Sequence, residues 1–363
     1  MTERLERLRS ALAGRGLDAL VLAAPEGMSP TNVRYLTGFT GSSSYLVVTQ
    51  AGALFLTDSR YSEQAASQVR GCTVAQHGPR YEEDLVAALP ERGRIGFEAR
   101  RLSVHMLGSW RERLGGAEFV AADGLVEELR IRKDAGEAAQ MRKVAVLAGA
   151  ALEDVLGRLE PGWTERALAR ELARAMEDRG LDAPGFPFIV ASGPRGSLPH
   201  AEPTDRVLAQ GELVTVDFGG ALGGYLSDET VTFAVGRVDG RLRAMYDVVQ
   251  RSQAAGIAAV RAGARASDVD RASRDVVLGS EFREHCFSYG VGHGVGLDIH
   301  EEPFAARPGS GREDRVLESG MTLTVEPGIY VPSVGGVRLE DTLLVTDAGH
   351  EILTPTPKDF RAI

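Results

Sequence analysis

Four short segments in the second half of this chain each carry one acid at a matching position of an alternating pattern, and this restricts the fold more than any other feature. They are Leu213 to Phe218 (LVTVDF), Tyr225 to Val235 (YLSDETVTFAV), Thr322 to Val331 (TLTVEPGIYV) and Gly336 to Thr346 (GVRLEDTLLVT). In a strand, residues i and i+2 share a face, so each segment divides into two sides. Thr215 and Asp217 fall together in the first, and Asp228, Thr230 and Thr232 in the second. Thr322, Thr324 and Glu326 share a side of the third, and Arg338, Glu340 and Thr342 a side of the fourth. The connecting texts GGALGG and PSVG are Gly-bearing, which predicts two antiparallel hairpins and an internal pseudo-duplication.

Asp is depleted in strands, and two hairpins of one sheet would bring these four carboxylates together. At an effective dielectric near 20, two unit charges 4 Å apart repel by about 4 kcal/mol. Such a cluster must hold cations or take up protons. Divalent ions meet the need, because one carboxylate can bridge two of them while others terminate them. A donor set of oxygens with little sulfur suits Mn²⁺, Co²⁺ or Mg²⁺ and accommodates Zn²⁺. Unrelated solvent-facing acids on half-exposed strands are the competing explanation. The shared residue class, phase and Thr neighbours in all four segments argue against it.

The histidines extend the pattern. His293 sits in YGVGHGVGLDIHEEP, where Gly290, Gly292, Gly294 and Gly296 alternate around it. Glycines at that density allow positive φ and close backbone approach, as expected where an imidazole must reach a metal, so His293 is the candidate nitrogen ligand. The run does not satisfy GxGxxG, and a dinucleotide loop is unsupported. His300, before Glu301 and Glu302, and His200, in the Pro/Gly-rich SGPRGSLPHAEP, are candidates to hydrogen-bond a substrate carbonyl or a developing oxyanion. His77, His105, His285 and His350 read as structural.

At 363 residues the chain is long enough for about two domains. Up to about residue 123, short apolar runs alternate with amphipathic stretches, as in layered α/β domains, and the boundary falls near Lys133. Beyond it, Thr164 is placed to cap a helix that Gly180 ends. A net charge of −10 disfavours nucleic acid and anionic membrane surfaces as partners. The charged start MTERLERLRS and the lack of a long apolar segment predict a cytoplasmic protein. Cys72 and Cys286, far apart, are expected to be small buried residues rather than a disulfide or zinc site.

On these residues the sequence resembles the pita-bread metallopeptidases, and among them the Xaa-Pro peptidases, aminopeptidase P and prolidase. The matching texts are VDFGGALGGYLSDET, SGPRGSLPHAEP, GVGHGVGLDIHE, TVEPGIY and GVRLEDT, with NVRYLTGFTGSSS and FLTDSRYSEQA extending the likeness toward the N-terminus. The resemblance implies a creatinase-like α/β domain over residues 1–131, for dimerisation and cleft closure. It implies an α+β pita-bread catalytic domain over 132–363, with a curved antiparallel sheet covered by helices. It implies two divalent ions, Mn²⁺ first, then Co²⁺ or Zn²⁺. Asp217 would bind one ion and His293 and Glu326 the other, with Asp228 and Glu340 shared. A water acidified by both ions would attack the carbonyl before proline, with Glu326 taking its proton. His200 and His300 would orient the peptide and stabilise the tetrahedral intermediate, and Arg338 would brace the site or contact substrate.

The substrates implied are proline-containing di- or oligopeptides, and the assembly a homodimer. Three departures from the family pattern stand out: Glu229 with Val231 after Asp228, where an Arg is usual; Tyr289 where many members have a His; and Arg195 in the loop before His200. Tyr289 is a candidate substrate contact, and Arg195, Arg34 and Arg60 are candidates to meet a substrate's C-terminal carboxylate. The alternatives are a methionine aminopeptidase-like exopeptidase, which the separate N-terminal domain disfavours, and an inactive peptide-binding module, which the full ligand set disfavours. Replacing Asp228 with Ala is expected to abolish Xaa-Pro hydrolysis and lower bound metal together. Full activity in that variant, measured beside metal content, would reject its place as a shared ligand.

Overall fold

The ALVLAA run at Ala19–Ala24 is apolar at every position, and such a run is stable only with both faces covered. In the computed structural model, which describes all residues from Met1 to Ile363, it is a central strand with all six residues buried. The chain divides into two units, Met1–Arg130 and Ile131–Ile363. In the first, a six-stranded sheet runs in the order Thr73–Gln76, Ala53–Thr57, Ser44–Thr49, Ala19–Ala24, Gly93–Phe97, Ala117–Ala121. Leu5, Leu8 and Leu12, at helical spacing, bury one face of the helix Thr2–Gly14.

A polar node also lies inside this unit. Asn32 Nδ2 donates to Glu98 and, at 2.8 Å, to Glu127 Oε1, while Arg130 Nη1 donates to Asn32 Oδ1 at 2.7 Å. Burial, with the Glu127 charge adding to it, pushes the Glu98 carboxyl up to about 7.

The second unit is built from two helix pairs and two strand pairs that alternate along the chain. Helix Ala135–Leu156 packs against Glu165–Asp178, and Gly240–Ala259 against Ala266–Leu278. Asp134 and Glu137 close a capping box on the first helix. Thr164 Oγ1 accepts from Ala167 N at 3.0 Å at the start of the second, and Gly180 follows its end at φ +85°. Strand Glu212–Phe218 pairs antiparallel with Glu229–Val235, placing Asp217 opposite Thr230 and Thr215 opposite Thr232. Thr322–Val325 pairs antiparallel with Asp341–Thr346, Thr324 opposite Thr342. Ile189–Ser192 and Gly349–Ile352 complete two three-stranded sheets. These abut at a seam that the backbone crosses through the Thr230–Glu340 bridge, Glu340 N donating to Thr230 O at 3.0 Å.

Three of the four expected strands are interrupted, and each interruption holds the acid. Tyr225 to Val235 resolves into Tyr225–Leu226 and Glu229–Val235, with Asp228 between them. Thr322 to Val331 breaks at Glu326 and Pro327, and Gly336 to Thr346 at Leu339 and Glu340. The cause is a change of backbone partner. Glu326 N donates to Val291 O at 2.7 Å and Glu340 N to Thr230 O, so the ladder passes to a new neighbour at each acid, and Pro327 has no N–H to continue it. The Gly292–Gly294 and Glu301–Ala305 strands, paired antiparallel, were not expected from the sequence, because their Gly and acidic content hides any strand signal.

Both cysteines are free but only half-buried, not fully interior as expected. No helix is long and apolar enough to cross a membrane.

A carboxyl raised in the native state binds protons that the unfolded chain releases, so stability falls as pH rises from about 4.5 to about 7. Thermal melts of Glu98→Gln at pH 4.5 and pH 8 are expected to show a gain over the parent that grows with pH, on the order of 3 kcal/mol at the upper end. An equal difference at both pH values would place the Glu98 carboxyl in the ordinary range.

Candidate metal centre

The strand registers bring the phased side chains to one place. Ligand-capable atoms of Asp228, His293 and Glu340, all three buried, lie within 4.8 Å of one another. His293 Nε2 is 3.3 Å from Glu326 Oε1 and 3.6 Å from Asp228 Oδ2. The other ring nitrogen, Nδ1, lies 3.1 Å from Gly294 O, which fixes the ring with Nε2 toward the acids. Asp217 enters from the neighbouring strand, its Oδ2 accepting from Arg338 Nη2 at 2.6 Å.

The threonines of the phased faces hold this arrangement. Thr230 Oγ1 donates to Glu340 Oε2 at 2.7 Å, and Thr342 Oγ1 donates to Asp228 O at 2.7 Å across the seam. Thr232 Oγ1 donates to Arg338 O at 2.8 Å, and Thr324 Oγ1 accepts from His293 N at 3.1 Å. The glycines flanking His293 serve close approach, not positive φ. A Cβ on Gly292 would lie 1.8 Å from Thr324 O, and one on Gly294 would lie 2.4 Å from Glu302 O.

Electrostatics set the chemistry. Burial, then the neighbouring charges Glu340 and Asp217, pushes the Asp228 carboxyl well above its usual range. Burial, then Glu326 and Asp217, does the same to Glu340. Burial and Glu326 raise Asp217 despite its pairing with Arg338. These acids cannot all be charged without cations among them. Asp217 Oδ1 is buried with no hydrogen-bond partner, an acceptor in want of a positive group. Four carboxylates and one oriented imidazole therefore fit a pair of divalent ions.

The centre lines a cleft of about 1220 Å³ that His200, His300, Tyr289 and Arg338 also line. His300 stacks edge-on to His293 with ring centroids 4.3 Å apart. Burial, and then the His293 charge, holds its pKa below the ordinary imidazole value. Lys133 Nζ contacts Glu301 Oε1 at 2.5 Å with both side chains nearly buried, which anchors the residue next to His300. The Arg338 guanidinium is engaged within the protein, donating to Asp217, to Pro199 O at 3.1 Å and to the Tyr330 hydroxyl at 2.9 Å. Tyr289 OH lies 2.7 Å from Tyr330 OH.

Tyr330 is a residue the sequence pattern did not single out, although it lies in the TVEPGIY text. Glu165, the residue after the cap Thr164, is another. Fully buried, it accepts from Ser192 N at 2.8 Å, Thr204 N at 3.0 Å and Arg195 Nε at 3.0 Å, pinning both ends of the loop that carries His200. Burial pushes its carboxyl up, but the Thr204 and Ser192 hydrogen bonds outweigh it and hold it below the usual range. Arg195 is thereby committed to Glu165 and to Glu202 O, at 2.6 Å, instead of facing a substrate. In the first unit, Arg60 pairs with Asp58 and Glu26.

Comparison with known proteins agrees with this geometry. Residues 139–347 match the model of metallopeptidase family M24, and residues 4–132 that of the creatinase/prolidase N-terminal domain. The chain is 38% identical to the uncharacterized peptidase YqhT of Bacillus subtilis over 98% of this chain and 99% of that one. It is 30% identical to an Xaa-Pro dipeptidase of Pyrococcus furiosus over 99% and 100%. A solved Xaa-Pro dipeptidase of Bacillus anthracis superposes with a TM-score of 0.93 at 37% identity, covering 99% of both chains. With its carboxylates, histidine and two-unit organisation accounted for, the chain belongs to metallopeptidase family M24, preceded by a creatinase/prolidase N-terminal domain.

Proposed function

We propose that the protein is an Xaa-Pro dipeptidase that cleaves the imide bond of short proline-containing peptides. The observation that carries this reading is the convergence of buried Asp228 and Glu340 and half-buried Asp217 and Glu326 on His293 within the cleft. Asp217 would hold one ion, His293 and Glu326 the other, and Asp228 and Glu340 both. The oxygen-rich donor set favours Mn²⁺, with Co²⁺ and Zn²⁺ accommodated. When bound, such ions lower the pKa of water and polarise a carbonyl oxygen.

The chain's own groups supply the rest. Glu326, with one oxygen toward His293, is the proton acceptor. His300, kept neutral by its surroundings, and His200 hydrogen-bond the scissile carbonyl and the tetrahedral species. Arg338 keeps Asp217 aimed, and Tyr289 borders the bound peptide. Proline has no N–H and a fixed φ, so its ring asks for apolar contact, and Phe186, Phe188 and Phe304 offer it. The assembly proposed is a homodimer, on family likeness.

Arg312 supports the choice of dipeptides. Its guanidinium lies 3.8 Å from the Phe304 ring centroid, its side chain is exposed in the cleft, and its charge reaches His300. It makes no ion pair with an acid of the protein, so it is available to the C-terminal carboxylate of a two-residue substrate. Rates on Gly-Pro and on a Gly-Pro-Xaa tripeptide, with metal-loaded protein, test the reading. Gly-Pro is expected to be the better substrate. Equal rates would reject the dipeptidase, and no hydrolysis of either would reject Xaa-Pro specificity.

Arg312→Ala is expected to raise KM for Gly-Pro by roughly ten- to a hundredfold, the worth of one charge-assisted hydrogen bond. The same variant is expected to leave hydrolysis of Gly-Pro amide, which lacks the carboxylate, unchanged. Parallel losses on acid and amide in steady-state assays would assign Arg312 no role in carboxylate recognition.

A further inference from the structure

Two acids stand directly behind the centre, and coordination of the ions leaves them unexplained. Glu229 and Asp341 open their strands one step before Thr230 and Thr342, which face the ligands, so alternation turns both acids toward the opposite face of the sheet. Both are buried there, Glu229 almost completely. Lys358, from the C-terminal stretch, answers both. Its Nζ lies 2.5 Å from Glu229 Oε1 and 3.0 Å from Asp341 Oδ1, and it donates to Thr356 O at 2.8 Å. An ammonium has three donors, and here each has an acceptor.

The geometry is a cross-tie. Glu229 belongs to the strand Glu229–Val235 and Asp341 to Asp341–Thr346, which lie on opposite sides of the seam between the two three-stranded sheets. Asp228 and Glu340 are the residues one step away on each side. The lysine is itself held in place. Its carbonyl accepts from Gln250 Nε2 at 2.8 Å and Tyr246 OH at 3.2 Å. The residues after it zip onto the Glu229–Val235 strand through Ala234 N to Arg361 O and Ile363 N to Ala234 O, both 2.9 Å. Asp341 is aimed by Gln253 Nε2 at 2.9 Å and Thr354 Oγ1 at 2.6 Å.

We propose that Lys358 is a positioning residue for the metal centre, which by tying Glu229 to Asp341 across the seam fixes the spacing of Asp228 and Glu340 and so sets the affinity for divalent ions. The inference rests on the two-ion reading above. It also gives Glu229, one of the departures from the family pattern, a partner and a purpose.

The test uses the full chain, stripped of metal by a chelator and titrated with Mn²⁺ by calorimetry and with Co²⁺ by visible absorption. The parent protein is expected to bind two ions. Lys358→Met is expected to bind them roughly ten- to a hundredfold more weakly, the usual cost of losing a group that supports metal ligands, with an altered Co²⁺ spectrum. Lys358→Arg, which keeps the charge, is expected to recover most of the affinity. Parental affinity and an unchanged Co²⁺ spectrum in Lys358→Met would overturn the proposal, even with a lower melting temperature, because the lysine would then serve the fold alone.

If Lys358→Met does not fold, the double variant Glu229→Gln/Lys358→Met removes one charge of each sign and leaves less charge unpaired. It is expected to show the same weakening, and parental affinity there would equally overturn the proposal. A parent protein that binds no ion would overturn the two-ion reading and this inference together, whereas equal binding by parent and variant would overturn the inference alone.

Discussion

Repulsion among buried carboxylates governs this molecule. The antiparallel registers that pair Asp217 with Thr230 and Thr324 with Thr342 leave four acids in one place, Asp228 and Glu340 buried and Asp217 and Glu326 half-buried at the wall of the cleft. A lone buried acid escapes the cost of charge by taking a proton, and burial does drive Asp228 and Glu340 in that direction. A site for divalent ions cannot use that escape, because its ligands must be ionised to bind. The fold therefore sets one fixed positive charge, Arg338, against the cluster, paired with Asp217. Lys358, behind the seam, answers Glu229 and Asp341. Neither occupies the space between the ligands.

The way the strands end explains how four acids converge without a continuous sheet. Three of them sit where a strand hands its hydrogen bonds to a different neighbour, which frees the side chain from the regular pleat. The threonines take over the positioning. A hydroxyl that reaches a carbonyl or carboxylate across the seam fixes a neighbour's direction at small volume, and buried polar networks of this kind hold one arrangement when every member is satisfied. The same residue type thus appears on every ligand-bearing face for a mechanical reason.

Much of this was legible in the sequence, and what was not has a common cause. The phase of Asp217, Asp228, Glu326 and Glu340 and the glycine spacing around His293 are local patterns, and local patterns survive in a one-dimensional text. The layered first half and the helix cap at Thr164 were legible for the same reason. Glu165 and Lys358 act through partners far along the chain, Tyr330 meets Tyr289 from 41 positions away, and Arg312 is picked out only by the cleft it lines. Glu229 was noticeable as an extra acid, but its lysine lies 129 positions away, and nothing in the intervening text announces the pairing. Arg195 shows the converse error. A lone arginine in a Pro/Gly-rich loop suggests an anion site, and only the fold reveals the buried Glu165 that claims it.

The Lys133–Glu301 contact bears on how this protein can be taken apart. Lys133 is the third residue of the second unit, and its backbone N–H also donates to Gly320 O at 2.7 Å. Its ammonium is buried against the carboxylate next to His300. A truncation that starts after this lysine would remove a buried ammonium from the carboxylate within one residue of a histidine that lines the cleft. Any attempt to isolate the hydrolytic half as a free-standing fragment should therefore retain the short segment 131–133, which opens that half and buries Ile131 and Lys133 within it.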